Sequence, residues 1–341
     1  MGMAGGTTHI VDRLNRPLRD LRVSVTDRCN FRCPYCMPAE VFGKGFAFMP
    51  RAEVLTFEEI ARFARVAAGF GVAKVRLTGG EPLVRRDIEH LIRMIATIEG
   101  VEIALTTNGA ALAAKAGALR EAGLSRVTVS LDSLDDAVFR ELNGVGMPLA
   151  RVLDGIAAAR RAGFRPIRLN TVVKRGVNDG GLLDLATYAR ENGDVVRFIE
   201  YMDVGTTNGW RLDDVVPAAQ VLEMIDARYP LEPVAARYPG EVARRYRYRD
   251  GGGEIGVIAS VTQPFCQGCT RARLTSDGRL ITCLFAAAGH DVRSVLRAGD
   301  DDAELSRLLT RVWGAREDRY SEARAQLTEP ADRVEMSYVG G

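Results

Sequence analysis

The sequence predicts an α/β protein, an open, partial (βα)6 TIM-like barrel followed by a smaller C-terminal α+β region. Three observations predict it. Short apolar runs alternate with amphipathic helical patterns from residue 21 to residue 199, the rhythm of βα units around a parallel sheet. About six strands occur in that stretch, too few for a closed eight-fold barrel. The rhythm then stops near Tyr229, where Pro230, Pro233 and Pro239 mark a change of organisation, so residues 1–228 and 229–341 are expected to form two regions.

The first strand is expected over residues 21–25, where Leu21, Val23 and Val25 alternate with Arg22 and Ser24. Gly43-Lys44-Gly45-Phe46 reads as a mobile loop. Thr56 opens a helix through residue 70, with Thr56-Phe57-Glu58-Glu59 matching the capping-box pattern. Strands follow at 74–78, 102–106, 126–130, 167–173 and 195–199, separated by helices at 86–98, 110–122, 135–142, 152–162 and 181–191. In the C-terminal region, residues 246–249 and 254–258 read as a hairpin around a glycine turn. Asp277-Gly278 predicts a second hairpin, between 271–274 and 279–282.

At 341 residues and 47% hydrophobic, the chain can bury one large core, or a large and a smaller one. No run of about 18 apolar residues is present to span a membrane. Residues 1–8 lack the charged-then-apolar layout of a signal peptide, which predicts a cytoplasmic protein. With 46 basic and 44 acidic residues, bulk electrostatics does not support a nucleic-acid surface, so an anionic ligand must be met by locally placed Arg and Lys. Only His9, His90 and His290 occur, none spaced as a ligand pair, which weakens a histidine-centred mechanism. Gly251-Gly252-Gly253 lacks the context of a phosphate loop and no Walker A pattern exists. A bound triphosphate would therefore be the molecule transformed rather than a fuel.

The six cysteines point to metal binding or catalysis rather than disulfides in a chain read as intracellular, and they fall into two trios. Cys29, Cys33 and Cys36 follow the first strand in C-x3-C-x2-C spacing and can hold three corners of an iron–sulfur cube, leaving one iron open for a small molecule. Cys266, Cys269 and Cys283 are again one short of four, the last folded back by the Asp277-Gly278 turn, and imply a second cluster with an open iron. The residues alone leave a zinc site open for either trio, although the missing fourth ligand argues against it. Gly79-Gly80-Glu81-Pro82 follows the second strand, where paired glycines would let the backbone approach a ligand and Glu81 could accept from an ammonium group. Thr106-Thr107-Asn108-Gly109 and Ser130-Leu131-Asp132-Ser133 follow the next two strands. Taken singly these are turns and helix caps.

Together these motifs resemble the radical S-adenosylmethionine (SAM) superfamily, through the triple-cysteine loop and the Gly79-Gly80-Glu81-Pro82 element. The two trios resemble, within it, the GTP 3',8-cyclase (MoaA-type) family, from Arg16 to the Gly340-Gly341 tail. The match includes Arg76-Leu77-Thr78, Asn170-Thr171-Val172-Val173 and Arg197-Phe198-Ile199-Glu200-Tyr201-Met202. The resemblance implies a radical SAM barrel fold, two 4Fe-4S clusters, SAM, and a lyase that converts GTP to (8S)-3',8-cyclo-7,8-dihydroguanosine 5'-triphosphate in the first step of molybdenum cofactor biosynthesis. It places Tyr35, Gly80, Ser130 and Met202 around SAM. It places Arg22, Lys74, Arg76, Thr106, Arg168, Arg197, Arg271, Ala272 and Arg273 around GTP, with Arg271 and Arg273 as catalytic residues. Arg271 and Arg273 also share one face of a strand beside the second trio.

The implied sequence is reductive cleavage of SAM at the first cluster, abstraction of the 3' hydrogen of GTP, attack on C8 of guanine, and reduction while the second cluster holds the purine and an Arg supplies a proton. Expected partners are an electron donor and the downstream cyclic pyranopterin monophosphate synthase, with no nucleic acid or membrane, for a monomer or homodimer. Arg168 stands where that family usually has Lys, and Tyr338 where His is expected. Of two rivals, a peptide-modifying radical enzyme generally carries more C-terminal cysteines. An iron–sulfur electron carrier would need neither the Gly-Gly-Glu-Pro element nor an Arg-lined rim.

Overall fold

The computed structural model describes residues 9–299, 301–324 and 333–340. The N-terminal segment 1–8 and Gly341 of the paired-glycine tail lie outside the described residues. Strands β1 (Asp20–Ser24), β2 (Lys74–Thr78), β3 (Glu102–Thr107), β4 (Arg126–Ser130), β5 (Arg168–Val173) and β6 (Val195–Glu200) pair in parallel in that order. Between them run α1 (Phe57–Gly69), α2 (Ile88–Ala96), α3 (Leu112–Glu121), α4 (Asp136–Asn143), α5 (Leu149–Arg161) and α6 (Leu182–Glu191). This is the expected partial barrel.

Strand alternation divides the sheet into two chemistries. Leu21, Val23, Val75, Leu77, Ile103, Leu105, Val127 and Val129 are fully buried with Ile60, Phe63, Leu91 and Leu119 of the helices, and form the apolar core of the outer layer. The alternate positions carry Arg22, Arg76, Thr106, Thr128, Ser130 and Asn170, so the inner face is polar and charged. An α1 capping box is present, with the Glu59 N–H donating to Thr56 and the Thr56 N–H to the Glu59 carboxylate. α2 starts at Ile88 rather than at residue 86, because Pro82–Val84 forms a separate 3-10 turn and Asp87 takes a left-handed φ of 57°.

Helix α7 (Ala218–Asp226) precedes the C-terminal strands β7 (Leu231–Val234), β8 (Arg244–Tyr248), β9 (Glu254–Ile258), β10 (Arg271–Leu274), β11 (Arg279–Ile281) and β12 (His290–Asp291). Helices α8 (Arg293–Ala298), α9 (Asp302–Gly314), α10 (Tyr320–Ala323) and α11 (Met336–Val339) complete the chain. Both expected hairpins form, β8 with β9 and β10 with β11. Their strands do not make a separate sheet. β10 pairs in parallel with β1 and β9 in parallel with β6, giving among the described residues one twelve-stranded sheet with the six barrel strands in its middle. The C-terminal region therefore contributes side chains to the barrel interior from both edges. No described helix is long and apolar enough to cross a membrane.

Candidate active site

The loop after β1 presents Cys29, Cys33 and Cys36 to a cavity of about 280 Å³ at the C-terminal ends of the strands. Arg32 holds the loop, its guanidinium donating to the carbonyls of Cys29 (2.8 Å), Phe31 (2.7 Å) and Phe42 (2.7 Å). Cys29 Sγ accepts from the Phe31 N–H at 3.3 Å. Burial pushes the Cys29 thiol up to about 11 and Cys36 up to about 12, and raises Cys33 as well. A cation or cluster taken up here must displace protons from neutral thiols.

Gly79 and Gly80 let this loop lie against the end of β2. A Cβ on Gly79 would meet Thr26 O at 2.6 Å, and one on Gly80 would meet Arg28 O at 2.3 Å. The glycines thus admit the backbone just before Cys29, and both also line the cavity. Glu81 lines the cavity too and has a second, structural role. Its buried carboxylate accepts from the Leu83 N–H (2.9 Å), the Thr107 hydroxyl (2.7 Å) and the Asn108 N–H (2.7 Å), tying β2 to the end of β3. Tyr35 is anchored across the cavity by its hydroxyl, which donates to Asp132 at 2.5 Å, and Asp132 also accepts from the Val172 N–H at 2.8 Å. Gly80, Ser130 and Met202 line the same cavity.

Behind it the barrel interior is lined with cations. Arg273, Arg22 and Arg76 are register partners across β10, β1 and β2, and Arg271, Asp20 and Lys74 form the row below. A second cavity of about 90 Å³ is lined by eight basic side chains, Arg22, Lys74, Arg76, Arg126, Arg168, Arg197, Arg237 and Arg271, against the acids Asp20 and Glu241. Arg22, Thr106, Asn170 and Arg271 line both cavities, so the two adjoin across these side chains. Lys74 is ion-paired with Asp20 and donates to the Tyr238 hydroxyl at 2.8 Å. Arg76 donates to Thr106 (3.0 Å) and Thr128 (3.2 Å). Burial, then the neighbouring guanidiniums, lowers Arg22 and Arg197, brings Arg76 and Arg273 down to about 10, and Arg168 to about 9. Arg168 Nη1, Arg273 Nη1 and Asn170 Oδ1 are buried without a protein partner. A cavity so charged and so incompletely paired fits a polyanion.

Cys266, Cys269 and Cys283 line the first cavity from the opposite side, so all six cysteines, each free, face one space. Burial raises Cys283 to about 11. Cys269 is half-buried, and there Arg271 and Arg316 outweigh desolvation and bring its thiol down to about 6, with Arg271 Nη2 donating to its sulfur at 3.2 Å. Among the described residues no three His, Cys, Asp or Glu side chains are gathered closely enough for a single metal ion. Three thiols in each trio are the donor type that an iron–sulfur cluster takes.

Of the residues singled out from the sequence, all but Ala272 reach a cavity wall. Ala272 is fully buried in the apolar core on the opposite face of β10 from Arg271 and Arg273. Gly340 lies against the end of β2, where a Cβ would be 2.5 Å from Thr78 Cγ2. Its neighbour Tyr338 donates to Asp277 at 2.8 Å, and Glu335 accepts from the Thr206 N–H at 2.9 Å, so the tail spans two loops at the cavity rim. Sequence reasoning missed Arg126, Arg237, Tyr238 and the anchoring role of Asp132. Arg126 was within reach, because it shares a strand face with Ser130. Arg237 and Tyr238 sit in a loop without periodicity.

The family model for the radical SAM superfamily matches residues 23–189, and that for Molybdenum Cofactor Synthesis C matches residues 194–322. The chain is 55% identical to a GTP 3',8-cyclase of Acidothermus cellulolyticus, over 98% of this chain and 100% of that one. It is 50% identical to one of Xanthomonas axonopodis pv. citri over 98% and 100%, and 46% identical to one of Staphylococcus aureus over 97% and 99%. A crystal structure of Streptococcus suis SuiB bound to S-adenosylmethionine shares the fold, with a TM-score of 0.62 at 16% identity over 88% of this chain and 67% of that one.

Proposed function

The chain belongs to the GTP 3',8-cyclase family of the radical SAM superfamily, and we propose how its residues divide that family's reaction among them. The function is conversion of GTP to (8S)-3',8-cyclo-7,8-dihydroguanosine 5'-triphosphate, a lyase reaction and the first step of molybdenum cofactor biosynthesis.

Cys29, Cys33 and Cys36 hold one 4Fe-4S cluster and Cys266, Cys269 and Cys283 a second, the first carried by residues 1–228 and the second by residues 229–341. With SAM bound, the first cluster supplies the one-electron chemistry that starts the reaction. Tyr35, fixed by Asp132, together with Gly80, Ser130 and Met202, seats SAM. Arg22, Lys74, Arg76, Arg168 and Arg197 take the triphosphate, whose roughly four negative charges offset the mutual repulsion of these cations. Thr106 stands where the two cavities meet and faces the ribose. Arg271 and Arg273 flank the guanine. Arg273 Nη1, buried and without a protein partner, is the donor available to the reacting ring. Ala272 can contribute only its backbone. Phe31, Phe139, Ile199, Ile258 and Phe285 on the wall of the first cavity exclude water from a radical that would react with whatever it met first. A cluster held by Cys29, Cys33 and Cys36 would take its electron from an external donor, and the product would pass to cyclic pyranopterin monophosphate synthase.

The observation that supports this division most strongly is that both cysteine trios and Arg273 line one cavity, which adjoins a second lined by eight basic side chains. The test is anaerobic reconstitution followed by incubation with dithionite, SAM and GTP. Wild type should bind about eight irons per chain and form deoxyadenosine in a GTP-dependent manner. Cys33→Ala should form none, and undiminished deoxyadenosine from that variant refutes the assignment of the first trio.

A further inference from the structure

The loops that carry the second trio have little secondary structure of their own. Cys266 sits in a single 3-10 turn, Cys269 just before β10, and Cys283 just after β11. Three thiols held in such loops must be fixed from outside if they are to meet the corners of one cluster.

The fixing group comes from the two ends of the described chain. Asp12, Arg16 and Arg316 are 5%, 2% and 4% exposed. Asp12 Oδ2 accepts from Arg16 Nε at 2.6 Å and from Arg316 Nη1 at 2.9 Å, so one carboxylate bridges two guanidiniums. Asp12 Oδ1 accepts from the Leu14 and Arg16 N–H groups, both at 2.9 Å. The guanidiniums then reach the trio. Arg16 Nη1 donates to the Cys266 carbonyl at 2.7 Å, Arg316 Nη1 to the Cys269 carbonyl at 2.8 Å, and Arg316 Nε to the carbonyl of Thr282, next to Cys283, at 3.2 Å. Trp313, fully buried, donates to the Arg16 carbonyl at 3.0 Å and lies against the Arg316 guanidinium. Asp318 also accepts from Arg316 Nε at 3.2 Å, and Arg16 Nη2 is buried without a protein partner, so removing one charge from this buried network leaves another uncompensated and is costly.

We infer that Asp12, Arg16 and Arg316 form a clamp that holds the second cysteine trio at its cluster-binding spacing, as positioning residues rather than catalytic ones. The inference rests on the reading that this trio holds the second cluster.

The test uses the full chain with Arg316→Gln, Asp12→Asn and Arg316→Lys. After anaerobic reconstitution, wild type should carry about eight irons and Arg316→Gln and Asp12→Asn about four. The second cluster's EPR signal should be lost while the first cluster's persists, so the first cluster reports on the fold. Arg316→Lys, which keeps the charge but not the fork, should recover part of the second signal. In metal-free protein, Cys266, Cys269 and Cys283 should react with iodoacetamide several-fold faster in Arg316→Gln, with Cys29, Cys33 and Cys36 unchanged. Full iron content in both Arg316→Gln and Asp12→Asn overturns the clamp, as does equal loss of both signals. Wild type that binds only about four irons overturns the two-cluster reading instead. The alkylation rates still decide the clamp, since unchanged rates at the second trio contradict it whatever metal the chain binds.

Discussion

Arg22 on β1 and Arg273 on β10 are register partners on adjacent parallel strands, and both side chains face the cavity that all six cysteines line. Two guanidiniums set side by side, with Arg76 in register on the other flank, repel one another and have been stripped of water. In the proposed division of roles, a bound polyanion relieves that repulsion. An Arg22→Met variant should therefore melt at a higher temperature than wild type when ligand-free, and show a KM for GTP raised about ten- to hundred-fold, the scale of one or two charge-assisted hydrogen bonds. Thermal melts with and without GTP check both. A variant that is less stable without ligand and unaltered in KM argues that Arg22 is a structural cation.

Glu81 carries a pH signature. Burial pushes its carboxyl from 4.5 up to about 7, although three donors pull the other way. A carboxyl raised in the folded state favours folding when protonated, and that contribution is lost as pH rises through the folded value. The stability cost of Glu81→Gln should therefore be largest below about pH 4.5, shrink between pH 4.5 and about 7, and level off above that, as read from urea midpoints of the metal-free chain. A cost that grows with pH would show that the three donors hold the group charged instead.

The C-terminal tail should matter for turnover and not for metal content. Gly340 has a φ of 69°, and a Cβ there would strike Thr78, so Gly340→Ala displaces the tail from the end of β2. Tyr338→Phe removes the donor to Asp277, where this chain departs from the His expected at that position. Both variants should keep wild-type iron content and lose at least about ten-fold in kcat/KM, with more deoxyadenosine made per cyclised nucleotide. Iron loss alongside the activity loss would place the tail among the cluster supports.

The barrel was legible because its strands alternate and its helices are amphipathic, and the two trios because cysteine spacing is a strong local signal. What escaped depends on contacts between distant segments. Nothing near Arg271 announces that β10 will pair with β1, some 250 residues earlier, yet that pairing brings Arg271 and Arg273 into the barrel interior. The motif Gly79-Gly80-Glu81-Pro82 lines the cavity through Gly79, Gly80 and Glu81, but nothing in it announces that its glycines also pack on Thr26 and Arg28 and that its acid also serves the Asn108 N–H and the Thr107 hydroxyl. α9 was readable and went unread: Asp301 and Glu304 open it as an N-cap and a first-turn acid, and Asp301 does accept from the Ala303 N–H.

The central claim, that one cluster serves SAM and the other GTP within a single cavity, is tested most directly by EPR of reduced single-cluster variants. In Cys269→Ala only the first cluster remains, and its signal should shift with SAM and not with GTP. In Cys33→Ala only the second remains, and its signal should shift with GTP and not with SAM. A second-cluster signal indifferent to GTP would contradict the account.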